Sequence, residues 1–294
     1  MPKGKIVKAL SGFYYVLAEN MLYQCRGRGV FRKNKISPLV GDEVIFQAEN
    51  EKEGYILEIL QRKNELIRPP ISNIDQGILV FSAVSPDFSA KLLDRFLVLM
   101  EAKNIRPIIC ITKMDLIADH VIDEKIRQFA KDYEKIGYPV FLMTTKEPET
   151  VKQVIPYLKD SISVIAGQSG VGKSSMLNCL DHRLQLKTGE ISDHLGRGKH
   201  TTRHVELISL GGGLVADTPG FSSLEFTGIE AADLPNCFPE IKEFSIQCKF
   251  RGCLHQKEPK CAVKEAVENG DISTYRYEHY LQFLEEIKER KPRY

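Results

Sequence analysis

Three units in series are predicted: an all-β barrel, an α/β unit with a parallel sheet, and a small α-helical unit stapled by a metal. Three observations carry this reading. Turn residues punctuate short β-rich runs up to Leu60, strand and helix patterns alternate from Pro69 onward, and three cysteines crowd around a histidine ahead of an amphipathic helical pattern. The boundaries fall at 1–68, 69–226 and 227–294, and 294 residues suffice for two or three such units.

In the first unit the β-rich runs are Lys5–Ala9, Tyr14–Leu17, Met21–Arg26, Glu43–Gln47 and Tyr55–Leu60. Gly12, Asn20, Gly27, Gly29, Gly41 and Gly54 separate or interrupt them, as residues that tolerate turn conformations. Five short strands predict a barrel, an OB-fold first and an SH3-like barrel second, since strand number does not separate the two. Lys3, Lys5 and Lys8, or Arg26, Arg28, Arg32, Lys33 and Lys35, are candidate phosphate contacts in RNA.

The second unit reads as strand Ile78–Ala83, helix Lys91–Lys103, strand Pro107–Ile111, helix Asp123–Ile136, strand Val140–Met143, helix Glu149–Leu158 and strand Ile162–Ala166. On the first helix Leu92, Phe96, Leu99 and Met100 recur at helical spacing. In parallel sheets ligands bind at the carboxyl ends of strands, so the loops after Ile111 and Ala166 are the places to look for chemistry.

Ala166 runs directly into Gly167, Gln168, Ser169, Gly170, Val171, Gly172, Lys173, Ser174 and Ser175, a phosphate-binding loop in its strand–loop–helix setting. The glycines let backbone N–H groups turn toward phosphates, Lys173 supplies a catalytic point charge, and the Ser174 hydroxyl is a ligand for Mg²⁺. Asp217-Thr218-Pro219-Gly220 follows an apolar run, placing Asp217 at the Mg²⁺ and Gly220 at the γ-phosphate. Thr112-Lys113-Met114-Asp115 follows Ile111; the Asp115 carboxylate accepts from guanine N1 and the exocyclic amine, donors that adenine lacks. Thr112 stands where an asparagine is usual, which keeps a hydroxyl but gives up an amide that binds the base and ties loops together, so weaker guanine binding is expected. Lys113 is expected over the base, bracing the phosphate loop, and the Met143–Lys146 segment near guanine O6.

These elements are in rotated order, base reader first, phosphate loop second and Asp217–Gly220 last, which marks a circularly permuted P-loop GTPase domain. Leu195–Arg203 occupies the place of a first switch, with Thr201 and Thr202 as candidate ligands to Mg²⁺ and the γ-phosphate. The position after Gly220, where a water-orienting glutamine is common, holds Phe221, whose ring cannot activate water, so His200 is the leading catalytic candidate.

In the third unit Cys248, Cys253, His255 and Cys261 offer three thiolates and an imidazole, a set suited to one structural Zn²⁺ with no open position. Gly252 eases the turn between the first two ligands, and Lys249, Arg251, Lys257 and Lys260 are expected to favour thiolates and to form a basic surface. Ser273–Arg290 is an amphipathic helix whose Tyr277, Leu281, Leu284 and Ile287 read as a core face. An odd total of 7 cysteines with one dense cluster argues against a disulfide framework. A balance of 41 basic and 39 acidic residues gives a net charge of +2, so a basic surface must be local. No apolar run is long enough to span a bilayer.

The motif order, Gly198-Lys199-His200-Thr201-Thr202, Asp217–Gly220, the Cys-x4-Cys-x-His-x5-Cys cluster and the β-rich start together resemble the circularly permuted, small-ribosomal-subunit-dependent GTPases, the RsgA/YjeQ/YloQ family, over essentially the whole chain. The resemblance implies a cytoplasmic, monomeric factor acting late in 30S subunit maturation, binding GTP or GDP, the 30S subunit and its 16S rRNA. Subunit-stimulated GTP hydrolysis is then coupled to release. The competing reading is a nucleotide-gated RNA-binding module in which hydrolysis is incidental.

Overall fold

The computed structural model describes residues 1–29, 31, 36–67, 69–184, 205–219 and 224–290, with the backbone alone for 217–219. The first five strands are β1 (Lys3–Leu10), β2 (Phe13–Ala18), β3 (Met21–Gly27), β4 (Glu43–Asn50) and β5 (Glu53–Ile59), matching the five expected runs. They close in the order β1-β2-β3-β5-β4, with β3 parallel to β5 and every other adjacent pair antiparallel. That jump from β3 to β5 is a Greek-key closure and fits the OB-fold, the first of the two barrels considered. Ile6, Val16, Cys25, Val44, Phe46 and Ile56 fill its interior.

A short hairpin, β6 (Glu65–Leu66) with β7 (Ile71–Ser72), connects the barrel to the second unit and has no counterpart among the elements expected from sequence. Its anchor is Asp42, wholly buried: the carboxylate accepts from Arg62 Nε at 2.7 Å and Nη2 at 2.8 Å, from the Ser72 hydroxyl at 2.6 Å and from the Leu39 N–H at 2.7 Å. Gly41 beside it has φ +93° and sits where a Cβ would lie 2.1 Å from the Ser72 carbonyl oxygen, so only glycine lets the two backbones meet.

The second unit contains β8 (Gln76–Ser82), α1 (Ala90–Glu101), β9 (Arg106–Thr112), α2 (His120–Ile136), β10 (Val140–Leu142), α3 (Pro148–Lys152), α4 (Ile155–Leu158), β11 (Ile162–Ala166), α5 (Lys173–Leu180), β12 (Leu207–Leu210) and β13 (Gly213–Pro219). The sheet order is β10-β9-β8-β11-β13-β12, parallel except for β12. Every residue of β8 and β11 is buried, the continuous pattern of strands covered on both faces. Gln76 is admitted because its amide donates to the Tyr157 carbonyl at 2.6 Å and the Ser163 hydroxyl at 2.9 Å, and accepts from Arg106.

The helices start and stop on local signals. Ser89 caps α1 by accepting from the Leu92 N–H, Asp119 caps α2 through the Val121 N–H, and Gly137 at φ +106° ends α2. The single helix expected over Glu149–Leu158 is two, α3 and α4, because Pro156 has no N–H to donate and its ring opposes the carbonyl four residues back. The edge strand β12 also escaped the sequence reading, although Gly211 and Gly212, both at positive φ, form the two-residue turn that joins it to β13.

Helices α6 (Pro239–Ser245), α7 (Ala262–Glu268) and α8 (Thr274–Glu289) make the third unit. The aromatic stripe on α8 is a core face, as read, although its centre lies on Tyr280, Phe283, Leu284 and Ile287, with Tyr277 and Leu281 at its margin. This core takes in Val98 and Leu99 of α1, so the third unit packs on the second. At that contact Arg276 is fully buried between the rings of Tyr133 and Phe238, donating to Asp94 at 2.6 Å and to both oxygens of Glu240. Asp94 also accepts from the Tyr133 hydroxyl and His279 Nδ1, each at 2.6 Å. No helix among the described residues is long and apolar enough to cross a membrane.

Removing Asp94 leaves the buried Arg276 with Glu240 as its one remaining carboxylate and takes from the Tyr133 hydroxyl and His279 their shared acceptor. Asp94→Ala is therefore expected to destabilise the chain by roughly 3–5 kcal/mol in urea denaturation. A loss below about 1 kcal/mol, the range of an exposed pair, would show that Glu240 and the two rings hold Arg276 without Asp94.

Candidate nucleotide and metal sites

Parallel pairing of β9, β8, β11 and β13 brings the separated sequence elements to one edge of the sheet: Thr112 ends β9, Ala166 ends β11, and β13 carries Asp217. Gly167 leaves β11 at φ +144°, and a Cβ there would stand 2.0 Å from the Val80 carbonyl oxygen of β8. Any side chain would push the loop off the sheet. Gly170 and Gly172, at φ +79° and +96°, complete the turn, and Gly172 leads into α5. The loop tip, Gln168–Gly170, is exposed, whereas Lys173 and Ser174 at the start of α5 are buried. The Lys173 ammonium donates to the carbonyls of Gly167 at 2.9 Å and Gln168 at 2.6 Å, closing the loop around its own lysine, and burial pushes its pKa down.

The Thr112 hydroxyl donates to the Val171 carbonyl at 2.5 Å, with the Phe81 carbonyl at 3.1 Å. The tie between base-reading segment and phosphate loop, expected to weaken with threonine in this position, is made by the hydroxyl. Lys113 has φ +59° and donates to the Ser85 carbonyl, so in this structure its ammonium braces the loop after β8 and not the phosphate loop. Asp115 is the middle residue of the 3₁₀ turn Met114–Leu116. Its Oδ1 accepts from the Thr144 hydroxyl at 2.6 Å and its Oδ2 pairs with Lys146 at 2.8 Å. Those two partners, Lys146 foremost and then Thr144, hold its carboxyl below the usual aspartate range. The Met143–Lys146 segment thus reaches the base-reading loop through its side chains. That Thr144 and Lys146 orient Asp115 is not readable from the sequence of the segment.

Where β11 advances two residues, from Ser163 to Ile165, β13 advances four, from Val215 to Pro219, so Asp217 and Thr218 lie in a bulge at the site edge. Bulges of this kind re-aim side chains beside functional sites. Gly220, Phe221 and the first-switch candidates His200, Thr201 and Thr202 lie outside the described residues.

The second site is assembled as predicted from Cys248, Cys253, His255 and Cys261, whose ligating atoms all lie within 4.8 Å of one another. Cys261 Sγ is 3.8 Å from both other sulfurs, and His255 Nδ1 is 3.5 Å from Cys248 Sγ and 3.3 Å from Cys261 Sγ. Sulfurs about 2.3 Å from a tetrahedral zinc stand about 3.8 Å apart, so the cluster has the dimensions of a closed four-ligand site. Gly252 takes φ +74° as the turn requires. Burial pushes the Cys253 and Cys261 thiols upward, the opposite of the effect expected of the neighbouring cations. Around the ligands, Tyr277 donates to the His255 carbonyl at 2.6 Å and Tyr280 to the Leu254 carbonyl at 2.8 Å. Glu258 accepts from the N–H groups of Leu254, Gln256 and Lys257. Of these three supports the sequence shows only Tyr277, and that as a member of a helix face.

Comparison with known proteins finds relatives along the whole chain. The sequence model of the RsgA GTPase family matches residues 59–227, and that of the RsgA N-terminal domain matches residues 3–56. Proteins described as small ribosomal subunit biogenesis GTPase RsgA are 67% identical in Bacillus velezensis and 65% identical in Bacillus subtilis, each alignment covering 100% of both chains. The crystal structure of YloQ, described as a circularly permuted GTPase, superposes with a TM-score of 0.88 at 60% identity, covering 100% of this chain and 97% of that one. YjeQ from Thermotoga maritima gives 0.87 at 36% identity over 99% of each chain. With a family model matching residues 59–227 and relatives matching it from end to end, the chain belongs to the RsgA GTPase family.

Proposed function

We propose that the chain hydrolyses GTP during late maturation of the 30S ribosomal subunit, binding the subunit through its 16S rRNA and leaving when GTP is spent. The observation that carries this is the convergence of the Asp115, Gly167–Ser174 and Asp217 segments on one edge of the sheet, tied by the Thr112 hydroxyl. The names of the relatives supply the subunit. The domain limits 1–68, 69–226 and 227–294, a cytoplasmic location and a monomeric state belong to the same proposal.

In this reading Gly167–Gly172 present backbone N–H groups to the phosphates, and Lys173 exchanges its two loop carbonyls for phosphate oxygens. That exchange lets a buried ammonium meet charge in place of neutral dipoles, which favours bound nucleotide strongly. Asp115 exchanges its two present partners for the two guanine donors, so the loop arrives at the base already oriented. Ser174, Asp217, Thr201 and Thr202 would hold Mg²⁺, which when bound neutralises charge developing on the β- and γ-phosphate oxygens. His200 takes the place of the absent glutamine in orienting the attacking water. Cys248, Cys253, His255 and Cys261 hold a structural Zn²⁺.

Three outcomes are expected. Purified protein turns over GTP slowly and ATP not at all, 30S subunits accelerate it strongly, and His200→Ala lowers the single-turnover rate. No acceleration with nucleotide-dependent binding intact would recast the chain as a gated RNA-binding module, and an unchanged His200→Ala rate would remove the catalytic role. In competition against labelled GDP, Asp115→Ala weakens GTP on the order of 10²-fold, as two hydrogen bonds to a charge are lost. Because the Asp115 carboxyl is held below its ordinary range, guanine preference is present above its pKa, stays level to about pH 5 and fades as acid protonates it. Preference that collapsed between pH 7 and pH 6 would contradict that assignment. Metal analysis returns about one zinc per chain, and its removal abolishes hydrogen-exchange protection at the ligand loop and α7. Less than half a zinc per chain would overturn the metal assignment.

A further inference from the structure

Three side chains from adjacent strands stand in one row on the outside of the barrel. Phe13 on β2 is paired with Arg26 on β3, and Arg26 is paired with Tyr55 on β5. Val16, Cys25 and Ile56 of the same strands are fully buried in the barrel interior, and side chains alternate between faces. Phe13, Arg26 and Tyr55, offset from them by odd numbers of residues, therefore point outward. The Arg26 guanidinium carbon lies 4.9 Å from the centre of the Phe13 ring, so the cation is held over an aromatic face. Tyr55 beside it is 53% exposed.

Charge is divided across the same seam. Residues 1–29 carry Lys3, Lys5, Lys8, Arg26 and Arg28 against a single acid, Glu19, whereas residues 43–59 carry Glu43, Glu49, Glu51, Glu53 and Glu58 against Lys52. Lys3 is paired with Glu43 and Lys8 with Glu206, each at 2.7 Å, so it is Lys5, Arg26 and Arg28 that admit a polyanion, and the acids beyond β5 turn it away, which leaves Tyr55 at the border. A helical RNA presents phosphates and ribose to a protein and keeps its base faces stacked inside, where they cannot use an outward tyrosine. An unpaired segment offers those faces, and base–aromatic stacking contributes roughly five- to hundredfold in affinity per base.

We propose that the Phe13–Arg26–Tyr55 row is a stacking platform for unpaired RNA bases, so that the barrel takes a single-stranded stretch of rRNA and not a helical one. This rests on the reading of the chain as a factor that binds the 30S subunit. Tyr55 is the primary stacking surface, and Arg26, steadied by Phe13, covers the neighbouring base and meets its phosphate.

The test uses the full chain, a labelled single-stranded RNA of about 12 nucleotides, within the span of one such barrel, and a hairpin RNA with a fully paired stem closed by a non-nucleotide linker, so that it offers no unpaired base. The unaltered chain is expected to bind the single strand more tightly than the hairpin. Tyr55→Ala weakens single-strand binding about tenfold or more without changing its salt dependence, because no phosphate contact is lost. Tyr55→Phe keeps the affinity, and Arg26→Lys keeps the salt dependence but not the full affinity. Basal GTP turnover is the same in all of them. Equal single-strand affinity in Tyr55→Ala and the unaltered chain, equal or tighter hairpin binding, or no single-strand binding at all would overturn the proposal. So would weaker 30S binding by Tyr55→Ala with single-strand affinity unchanged, which would put a ribosomal protein on this face. If the unaltered chain neither binds 30S subunits nor responds to them, the parent reading fails whatever Tyr55 does.

Discussion

Everything in this chain depends on four parallel strands sharing one direction. The carboxyl ends of β9, β11 and β13 meet because strands paired in parallel end on the same side, and that holds whatever the order in which the chain visits them. Permutation therefore moves the places where other units attach and leaves the nucleotide edge alone. The constraint is tightest at Gly167, where the backbone of one strand end passes so close to Val80 of the next that no side chain fits. A rigid sheet gives the mobile chemistry of phosphate transfer a fixed edge from which to work.

The three units are joined by charges as well as by apolar packing. Asp42 fastens the barrel to its connecting hairpin through Arg62 and Ser72, while Lys8 of β1 pairs at 2.7 Å with Glu206, just ahead of β12. Arg276 fastens the third unit to α1 and α2. Buried ion pairs add little net stability over apolar groups of the same shape, because desolvation offsets their attraction, but they tolerate misplacement poorly. Used at joints, they set how one unit sits on another. The hydrophobic cores inside each unit supply the bulk of the stabilisation.

Legibility from sequence followed the range of the forces involved. The barrel strands, β8, β9, β11 and the amphipathic helices announce themselves by local periodicity, and the phosphate loop and cysteine cluster by residue spacing. Pro156 and the Gly211-Gly212 turn were equally local signals, and their consequences for α3, α4 and β12 were available but unread. What no local pattern carries is a partnership across the fold. Arg276 looks like an ordinary charge on an amphipathic helix, and its burial becomes visible only when Asp94, some 180 residues away, is placed beside it. Thr144 and Lys146 acquire meaning in the same way, as the groups that hold Asp115 ready for a base.

The permuted order also decides how nucleotide state can reach the third unit. In the usual order the chain after the second switch returns to the sheet; here it leaves β13 and enters the third unit directly. The first described residue beyond the switch, Leu224, has its carbonyl held at 3.0 Å by Arg95 of α1, whose guanidinium also pairs with Glu286 of α8 and lies over the rings of Phe226 and Phe283. One side chain thus touches the exit of the switch, the body of the nucleotide-binding unit and the last helix of the chain. Meanwhile Arg276 fixes α8 to α1 a few turns away. A displacement at the switch exit must therefore either break the Arg95 contacts or carry α1 and α8 together, and the buried network at Arg276 makes the second course the less costly.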